Sequence, residues 1–335
     1  MGKYENGILP MDTAEWFHER SYHHKRFSDL AELERRKREL GVTVSLILPC
    51  NNVAGTIGEI LDEIHSVNER AGLVGQILAV DADSEDGTAR IASNHGAEVY
   101  SENDLMPSYG GTHGKGDAMW RSLSVATGDI VMFADTDTTD FKPEFVSGTL
   151  GPLLTVPEIR YVKAAYRRPF RSGEKVEHDG GGRVTELSAK PLFNLFYPEL
   201  TGFVQPLAGE FAADRELLLS IPFLTGYAVE TGIMIDVLEK VGLGAMAQVD
   251  LGERQNRHQS LGDLSRMSYA VLRAVARRLR EDGRLHQVRD ESLPDTLFQF
   301  SDYRHAVATP DGLELTEYVE ELVERPPMSE VQRVG

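Results

Sequence analysis

Apolar residues follow two alternating patterns through the middle of the chain. The run VTVSLILP at residues 42–49 is β-branched and almost continuously apolar, which is typical of a buried parallel strand. Further strands are predicted at residues 76–83, 98–101 and 129–137, and helical spacing of apolar residues predicts helices at 56–67, 86–96 and 116–128. This order predicts an α/β fold with an open, mainly parallel twisted sheet and helices on both faces.

Patterning divides the 335 residues into four parts. Residues 1–41 are predicted as an N-terminal helical extension, 42–140 and 141–265 as two halves of one α/β domain, and 266–335 as a C-terminal helix with an acidic tail. The last 55 residues hold 13 acidic and 5 basic side chains. We therefore expect a peripheral, partly helical tail after the domain.

Composition excludes several classes of function. The formal net charge of −18 disfavours nucleic acid as a partner, because an acidic surface repels a phosphate polymer. No run approaches 18 apolar residues, so no membrane-spanning helix is predicted, and charges in the first twenty residues disfavour a signal peptide. The single cysteine, Cys50, excludes an internal disulfide and a cysteine-based zinc site. A cytoplasmic location without membrane contact is the expectation.

Polar residues stand at the carboxyl ends of three predicted strands, where open α/β sheets bind ligands. Pro49-Cys50-Asn51-Asn52 follows the first strand, residues 81–88 (DADSEDGT) end the second, and Asp135-Thr136-Asp137 ends the fourth. Carboxylates are natural ligands of Mg²⁺ or Mn²⁺, and residues i and i+2 of a strand face the same side. An Asp-x-Asp turn is the alternative, but adjacent carboxylates repel without a cation, so we favour a metal site.

Residues 109–117 (YGGTHGKGD) look like a phosphate loop but fail the test for one. Only three residues separate Gly110 from Gly114, and Gly116 replaces the Ser or Thr that would hold Mg²⁺. No G-x-G-x-x-G follows the first strand either, so a nicotinamide or flavin site is not supported. Lys115 remains a candidate cation for a nucleotide diphosphate, with a surface lysine as the alternative. Asp83 is a candidate ligand contact or part of a helix-capping turn.

The second half offers further candidates. Arg183 follows three glycines, whose backbone can approach an anion closely, and Thr185 adds a hydroxyl, so the pair could hold a phosphate or carboxylate. A glycine hinge with a solvated arginine is the alternative. Residues 206–210 (PLAGE) could place backbone and Glu210 beside a sugar, or form a simple turn. Tyr227 and Glu230 lie one helical turn apart and can reach the same pocket.

These motifs together resemble a known family. LPCNN, DADSEDGT, GKGDAMW and DTD are similar to the segments that hold the donor in nucleotide-sugar glycosyltransferases of the GT-A type. GGGRVTELSAKPLFNLFYPEL, QPLAGEFAADRELL, GYAVETGIMID and AQVDLGERQNRHQSL resemble the retaining glucosyl- and mannosyl-3-phosphoglycerate synthases. The resemblance covers residues 42–265. It implies that residues 42–140 bind the nucleotide sugar and that 141–265 bind the acceptor.

The resemblance also implies a role for individual residues. The donor would contact Pro49, Asn51, Asn52, Asp81, Asp83, Lys115, Asp135, Thr136, Gly209, Glu210, Tyr227 and Glu230. The catalytic set would be Asp137, Glu230, Leu207 and Ala208, and the acceptor set Gly182, Arg183, Val184, Thr185 and Asn256. The family's H-R-N segment is reversed to Asn256-Arg257-His258. Since imidazole is the better donor, we assign the metal to Asp137 and His258 with Asp135 nearby.

The resemblance implies a metal-dependent hexosyltransferase. It would move mannose or glucose from a GDP- or UDP-sugar to 3-phosphoglycerate with Mg²⁺ or Mn²⁺, giving a precursor of the compatible solute mannosylglycerate or glucosylglycerate. Among the donors we favour GDP-mannose. Among the reaction routes we favour a front-face mechanism. A homodimer is the assembly that the resemblance implies. The alternatives are a sugar-phosphate nucleotidyltransferase, whose G-x-G-T-R-L-type loop LPCNN lacks, and a non-catalytic nucleotide-sugar-binding protein.

Overall fold

The computed structural model describes residues 12–172, 175–177, 181–254, 259–285, 303–309, 312–319 and 321–331. The strands in these ranges are β1 (Ser21–His23), β2 (Val44–Cys50), β3 (Gln76–Asp81), β4 (Glu98–Ser101), β5 (Ile130–Phe133), β6 (Tyr161–Arg167), β7 (Phe170–Ser172), β8 (Lys175–Glu177), β9 (Phe211–Asp214), β10 (Phe223–Leu224), β11 (Met246–Glu253), β12 (Tyr303–Thr309), β13 (Gly312–Tyr318) and β14 (Glu324–Arg325). The α-helices are α1 (Thr13–Arg20), α2 (Leu30–Leu40), α3 (Ile57–Ala71), α4 (Thr88–Asn94), α5 (Lys115–Ser122), α6 (Pro143–Thr155), α7 (Lys190–Phe196), α8 (Arg215–Leu219), α9 (Val229–Val241) and α10 (Leu261–Glu281).

Eight of the described strands form one sheet in the order β1-β11-β6-β9-β5-β2-β3-β4. All neighbours pair in parallel except β9, which is antiparallel to both β5 and β6. The predicted α/β fold with a mainly parallel sheet is confirmed. The strands from residues 42–140 (β5, β2, β3 and β4) lie side by side, and so do those from 141–265 (β11, β6 and β9). The two blocks are joined by the pairing of β5 with β9, so the two halves share one sheet.

The core lies on both faces of the sheet. Along β2, Leu46 and Leu48 pack into the cluster on one face, whereas Ile47 packs into the cluster on the other face. A strand covered on both faces needs apolar residues at successive positions, which explains the continuous apolar run of this segment. Helices α3 and α6 cover the first face, and α5 and α9 cover the second.

Two predicted elements are shorter than expected. The strand predicted at 129–137 ends at Phe133, so Asp135 and Asp137 lie in the segment after β5 and not within the strand. The helix predicted at 116–128 begins at Lys115 and ends at Ser122. Its last residues instead form turns, with the Ser124 hydroxyl donating to the Arg121 carbonyl at 2.7 Å.

The N-terminal part is helical, as predicted, but it also extends the sheet. Strand β1 pairs with β11 at one edge, and α1 places Trp16 in the core with its indole N–H donating to the Met246 carbonyl at 2.8 Å. Helix α2 shows the expected solvated character, with ion pairs between Arg35 and both Glu32 and Glu39.

The interpretation of the C-terminal part as a peripheral tail is wrong for residues 321–331. Strand β14 pairs with β10, and the buried Arg325 donates to the Asp117 carboxylate at 2.6 Å. Its guanidinium also donates to the Tyr109 carbonyl at 2.7 Å, and the Trp120 indole donates to the Pro326 carbonyl at 2.8 Å. Net charge could not reveal this packing, because it depends on one arginine meeting one buried carboxylate. Within the described ranges no helix is long and apolar enough to cross a membrane.

Candidate active site

The site lies at one edge of the sheet. Since β5, β6 and β11 run in the same direction, their carboxyl ends meet there, followed by Asp135 and Asp137, by Arg168 and by Arg254 respectively. Strand β9 runs the other way, so the residues before it, including Glu210, reach the same edge. The topology therefore gathers side chains from four strands that are far apart in sequence.

An open cavity of about 190 Å³ at this edge, here called the central cavity, is lined by many of the predicted residues. Of the predicted set, its wall includes Lys115, Asp135, Asp137, Gly182, Arg183, Val184, Thr185, Leu207, Tyr227 and Glu230. Its other lining residues are Arg168, Pro169, Gly181, Gln259, Leu264, Met267 and Val271. Residues predicted for donor and acceptor thus share one space.

Lys115 is a cavity residue at the start of α5 and not a surface lysine. Its ammonium group donates to Asp135 at 2.5 Å and to Glu230 at 2.8 Å. Burial favours the neutral amine, but Asp135 and Glu230 outweigh this and raise the pKa of Lys115 above its usual range. The lysine is therefore a fixed cation that places two carboxylates on the cavity wall.

Arg254 holds the other side of this cluster, and the sequence patterns did not single it out. Its fully buried guanidinium donates to Glu210, to Asp135 at 3.3 Å and to Asp137 at 3.4 Å. Burial alone would raise the pKa of Asp135, but the positive charges of Lys115 and Arg254 lower it by more. The pKa of Asp135 therefore lies well below its usual value. One arginine thus fixes both acids of the Asp-x-Asp segment.

The structure corrects the expected position of Glu210. Its side chain is fully buried and does not line the central cavity. One carboxylate oxygen accepts from Arg254 and the other from the Tyr166 hydroxyl at 2.9 Å. Burial raises the pKa of Glu210, and the charge of Arg254 opposes that rise. The residue supports Arg254 from behind and does not face a sugar.

The backbone of the 206–210 segment approaches Asp135 closely. A Cβ atom at Gly209 would collide with both oxygens of the Asp135 carboxylate, so only glycine fits there. Ala208 is buried in the core beneath the segment, whereas Leu207 lines the cavity. The predicted close backbone approach is therefore made to a carboxylate, and contacts of Ala208 and Gly209 with a substrate stay predictions.

The glycine-rich loop forms the opposite part of the wall. Gly182 has a φ of +69°, and Gly181 packs so tightly on Arg168 that a side chain there would collide with its backbone. Arg183 reaches the cavity and donates to the Gln259 carbonyl at 3.2 Å. Thr185 begins a π-helical turn, Thr185–Ala189, that leads into α7. The loop thus presents a guanidinium, a hydroxyl and close backbone to one space.

The residues predicted to hold the nucleoside lie beside the central cavity but do not line it. The Thr136 hydroxyl donates to the Pro49 carbonyl at 2.7 Å, joining the ends of β5 and β2. Asp81 accepts from the Ser84 backbone at 2.9 Å in the predicted turn. The exposed Asp83, a candidate free ligand, accepts instead from Ser101 and Asn103.

Asn51 and Asn52, at the end of β2, are exposed on the same edge of the sheet. Asn52 adopts a positive φ of 51°, its backbone N–H donates to the Ser84 hydroxyl at 2.8 Å, and its amide donates to Asn51 at 2.9 Å. These bonds connect the turns after β2 and β3, and the roles of both asparagines stay predictions.

The described part of the chain contains no group of three His, Cys, Asp or Glu residues close enough to hold a metal ion. Asp137 is the best placed ligand, since its half-exposed carboxylate faces the cavity, whereas Asp135 is already paired with Lys115 and Arg254. Mg²⁺ is typically held by one or two carboxylates together with substrate phosphates and water, and Asp137 fits that pattern. The predicted metal ligand His258 and the predicted acceptor residue Asn256 lie outside the described residues.

Tyr166, Arg168 and Arg254 were not predicted, because β6 and β11 are not among the strands that the sequence patterns indicated. Arg168 follows β6 directly and Arg254 follows β11, so both stand at the carboxyl end of a strand. Tyr166 lies within β6 and has no such position. Buried Lys163, on β6, gave no such signal. Burial, opposed by Glu230, lowers the pKa of Lys163 to about 8.

Known proteins are similar to this chain in sequence and in fold. The family described as "Glycosyl transferase family 2" matches residues 45–175. The chain is 44% identical to the glucosyl-3-phosphoglycerate synthase of Petrotoga mobilis over 79% of this chain and 82% of the relative. It is 42% identical to that of Mycobacterium tuberculosis H37Rv over 81% of each chain.

Two solved structures are also similar. The mannosyl-3-phosphoglycerate synthase of Rubrobacter xylanophilus is 72% identical, with a TM-score of 0.90 over 96% of this chain and 100% of that one. The M. tuberculosis glucosyl-3-phosphoglycerate synthase, in complex with Mn²⁺, UDP and glucosyl-3-phosphoglycerate, is 38% identical, with a TM-score of 0.77 over 92% and 98% of the two chains. The same M. tuberculosis enzyme was also solved with Mg²⁺ and UDP.

Proposed function

The chain belongs to the family of glucosyl- and mannosyl-3-phosphoglycerate synthases, and we propose that it transfers mannose from GDP-mannose. It is a metal-dependent glycosyltransferase that moves a hexosyl group from a nucleotide-diphosphate sugar to 3-phosphoglycerate. The choice of mannose is supported by the 72% identity to a mannosyl-3-phosphoglycerate synthase, against 38–44% for glucosyl enzymes of comparable coverage. GDP-glucose and UDP-glucose are the competing donors.

One observation carries the assignment of the site: a single cavity contains both a carboxylate edge and an anion-binding loop. Asp137 follows β5, the Lys115–Glu230 pair is contributed by the starts of α5 and α9, and Arg183 and Thr185 lie on the glycine-rich loop and just after it. A donor with a sugar diphosphate and an acceptor with a phosphate need these two features within reach of each other. Neither a sensor nor a scaffold needs this combination.

The roles proposed for the donor side follow from these contacts. Glu230 is held by Lys115 with its carboxylate on the cavity wall, where it can accept hydrogen bonds from sugar hydroxyls. Tyr227 is half exposed beside it and offers an aromatic surface to the sugar or nucleotide. Asn51, Asn52 and Asp83, on the ends of β2 and β3, would hold the nucleoside.

The enzyme uses a divalent cation, Mg²⁺ or Mn²⁺. Asp137 would hold it, together with diphosphate oxygens and water, and with Asn256 or His258 as a further candidate ligand. When bound, the ion acts as a Lewis acid that neutralises charge on the leaving diphosphate. Arg254 keeps Asp137 and Asp135 in position for this.

We favour a front-face reaction with retention of configuration. The acceptor hydroxyl oxygen bonds to the anomeric carbon as the bond from that carbon to the diphosphate oxygen breaks, and the hydroxyl proton passes to the leaving phosphate. This route is supported by the ion pairs of the carboxylates on the described cavity wall, since Asp135 and Asp137 contact Arg254 and Glu230 contacts Lys115. Glu210 is buried behind Arg254, and Glu230 is paired with Lys115. A covalent glycosyl adduct trapped on Glu230 would overturn it.

The test is a donor panel with 3-phosphoglycerate as the acceptor. GDP-mannose, GDP-glucose and UDP-glucose are each supplied with Mg²⁺ or Mn²⁺, and the product is identified by mass spectrometry and NMR. We expect mannosyl-3-phosphoglycerate as the main product. Exclusive transfer of glucose would reverse the donor assignment, and a nucleotide sugar formed from a sugar phosphate and NTP would instead indicate a nucleotidyltransferase.

Assembly and location are further proposals. The resemblance supports a homodimer, and light scattering of the purified protein at micromolar concentration checks it. A cytoplasmic location accords with a substrate such as 3-phosphoglycerate, and cell fractionation tests it. We expect no binding to nucleic acid or membranes, which electrophoretic mobility and vesicle sedimentation assays would reveal.

A further inference from the structure

Arg168 faces the central cavity with hydrogen-bonding capacity unused within the described chain. It follows β6 and lines the cavity beside the glycine-rich loop. Its Nη2 donates to the Tyr166 hydroxyl at 2.8 Å, and its guanidinium lies 5.0 Å from the centre of that ring. Its Nε is buried and has no hydrogen-bond partner among the described residues. Because Nε is enclosed by protein, a ligand in the cavity would meet the outer edge of the guanidinium, formed by the two Nη atoms.

The backbone fixes this side chain relative to the loop. The Gly181 N–H donates to the Arg168 carbonyl at 3.0 Å, and a side chain at Gly181 would collide with the Arg168 backbone. At the neighbouring Gly182, an added Cβ atom would come within 3.9 Å of the Arg168 side chain. Arg168 and Arg183 are therefore two guanidinium groups held on either side of the same two glycines.

The acceptor carries two anionic groups, and they are not equivalent. In 3-phosphoglycerate the carboxylate is bonded to the carbon that bears the reacting hydroxyl, and the phosphate is on the next carbon. The carboxylate must consequently lie nearer the donor than the phosphate does. Leaving either anion unpaired inside a partly enclosed cavity would be unfavourable.

The hydrogen bonds order the two arginines along the cavity. Arg168 contacts Tyr166, which in turn contacts Arg254, and Arg254 contacts the Asp135–Asp137 edge. Arg183 contacts the Gln259 carbonyl instead. Arg168 is therefore on the side nearer the metal and leaving group, and Arg183 with Thr185 is on the side nearer the start of α7.

We propose that Arg168 binds the carboxylate of the acceptor, while Arg183 and Thr185 bind its phosphate. This proposal rests on the proposed function, since it divides that acceptor between two subsites. A guanidinium can grip a carboxylate through two parallel N–H bonds, and the two Nη atoms of Arg168 can form such a pair while Nε stays buried. Arg168 thus selects 2-hydroxy acids over simple alcohols as acceptors.

The experiment pairs each arginine with an acceptor that lacks one anion. Wild type, Arg168→Gln and Arg183→Ala are assayed with 3-phosphoglycerate, with glycerol 3-phosphate, which lacks the carboxylate, and with glycerate, which lacks the phosphate. Where an analogue gives no turnover, its inhibition constant against 3-phosphoglycerate is measured. The matched control is Arg167→Gln, an adjacent, exposed arginine that pairs with Glu253 at 3.5 Å outside the cavity.

Arg168→Gln should lower kcat/KM for 3-phosphoglycerate by about ten- to a hundredfold, because a charge-assisted bond is lost. The same substitution should barely change the affinity for glycerol 3-phosphate. The preference of the enzyme for 3-phosphoglycerate over glycerol 3-phosphate should therefore fall by the same factor. Arg183→Ala should instead reduce the preference for 3-phosphoglycerate over glycerate. Arg168→Lys should recover part of the preference, and Arg167→Gln should match wild type.

Two results would overturn the proposal. The first is that Arg168→Gln loses activity or affinity to the same extent with 3-phosphoglycerate and with glycerol 3-phosphate. The second is that Arg168→Gln changes only the donor KM. Donor binding by calorimetry establishes that each variant is folded, and Arg168→Lys provides the same comparison if Arg168→Gln does not fold. A wild-type enzyme that cannot use 3-phosphoglycerate would refute the proposed function itself, which distinguishes the two failures.

Discussion

Replacing Arg254 by methionine should destabilise the protein more than any exposed charge change at the same edge. Methionine fills similar apolar space but leaves the buried Glu210 carboxylate without its cation and releases Asp135 and Asp137 from one side. Breaking a buried ion pair by removing one partner typically costs about 3–5 kcal/mol, because the remaining charge is unsolvated. With a urea m-value of about 3 kcal/mol/M, the unfolding midpoint should fall by about 1–2 M.

Urea titration followed by circular dichroism measures this shift, with two further variants for comparison. Arg167→Met removes an exposed arginine at the same edge and should change the midpoint little. Adding Glu210→Gln to Arg254→Met should restore part of the lost stability, since an amide is less costly to bury than an unpaired carboxylate. With the same m-value, the ~1 kcal/mol contribution of an exposed ion pair corresponds to about 0.3 M urea. If the unfolding midpoint of Arg254→Met lay within about 0.3 M of the wild-type midpoint, the reasoning would be refuted.

The pH dependence of the same variant has a definite sign. Burial already raises the pKa of Glu210 in the folded protein, and loss of Arg254 removes the charge that opposes the rise. Between the unfolded and folded pKa values the folded state binds more protons, so the free energy of unfolding decreases as pH rises. The stability deficit of Arg254→Met should therefore be smaller at pH 5 than at pH 8, and a deficit that grows on acidification would contradict this account.

Three other changes have clear expected outcomes. Asp137→Ala should remove most activity without unfolding the protein, and EDTA should inactivate wild type until Mg²⁺ or Mn²⁺ is added; full activity in excess EDTA would exclude the metal role. Gly209→Ala should push Asp135 aside and cost about 1–3 kcal/mol with a large loss of kcat, whereas Gly244→Ala, with open space around it, should be tolerated in the same unfolding and rate assays. Arg325→Met should lower the free energy of unfolding by about 1.5–3 kcal/mol. It should also raise the donor KM, because Arg325 holds the loop before Lys115 through hydrogen bonds to its carbonyls. An unchanged donor KM would show that Arg325 only stabilises the fold.

The sheet could be predicted from sequence because its central strands are buried on both faces. Such strands require continuous apolar runs, and the runs at β2 and β3 were located within two residues of their observed ends. The antiparallel β9 could not be recognised in this way. Its four residues, FAAD, are too short to show a period, and its direction is fixed by its neighbours β5 and β6.

The candidate site was predicted where residues follow recognised strands or special glycines. It was missed after β6 and β11, which were not predicted as strands, and where contacts are tertiary. Lys115, Asp137 and Arg183 share one cavity as expected. The burial of Glu210 could not be inferred, since it depends on the approach of Arg254 from a strand 44 residues away. Such contacts depend on the order of the strands in the sheet, and a local sequence pattern does not reveal that order.

The distribution of charge around the cavity explains why an acidic protein can bind two anionic substrates. Each carboxylate on the edge is matched by a fixed cation: Asp135 by Lys115 and Arg254, and Glu230 by Lys115. The arginines on the loop side, Arg168 and Arg183, face the same space and lie near fewer acids. The overall charge of −18 therefore resides elsewhere on the surface, and the cavity can attract anions although the protein as a whole repels them. Because Arg168→Gln removes one of these positive charges, the acceptor KM of this variant should rise less with added salt than the acceptor KM of wild type does.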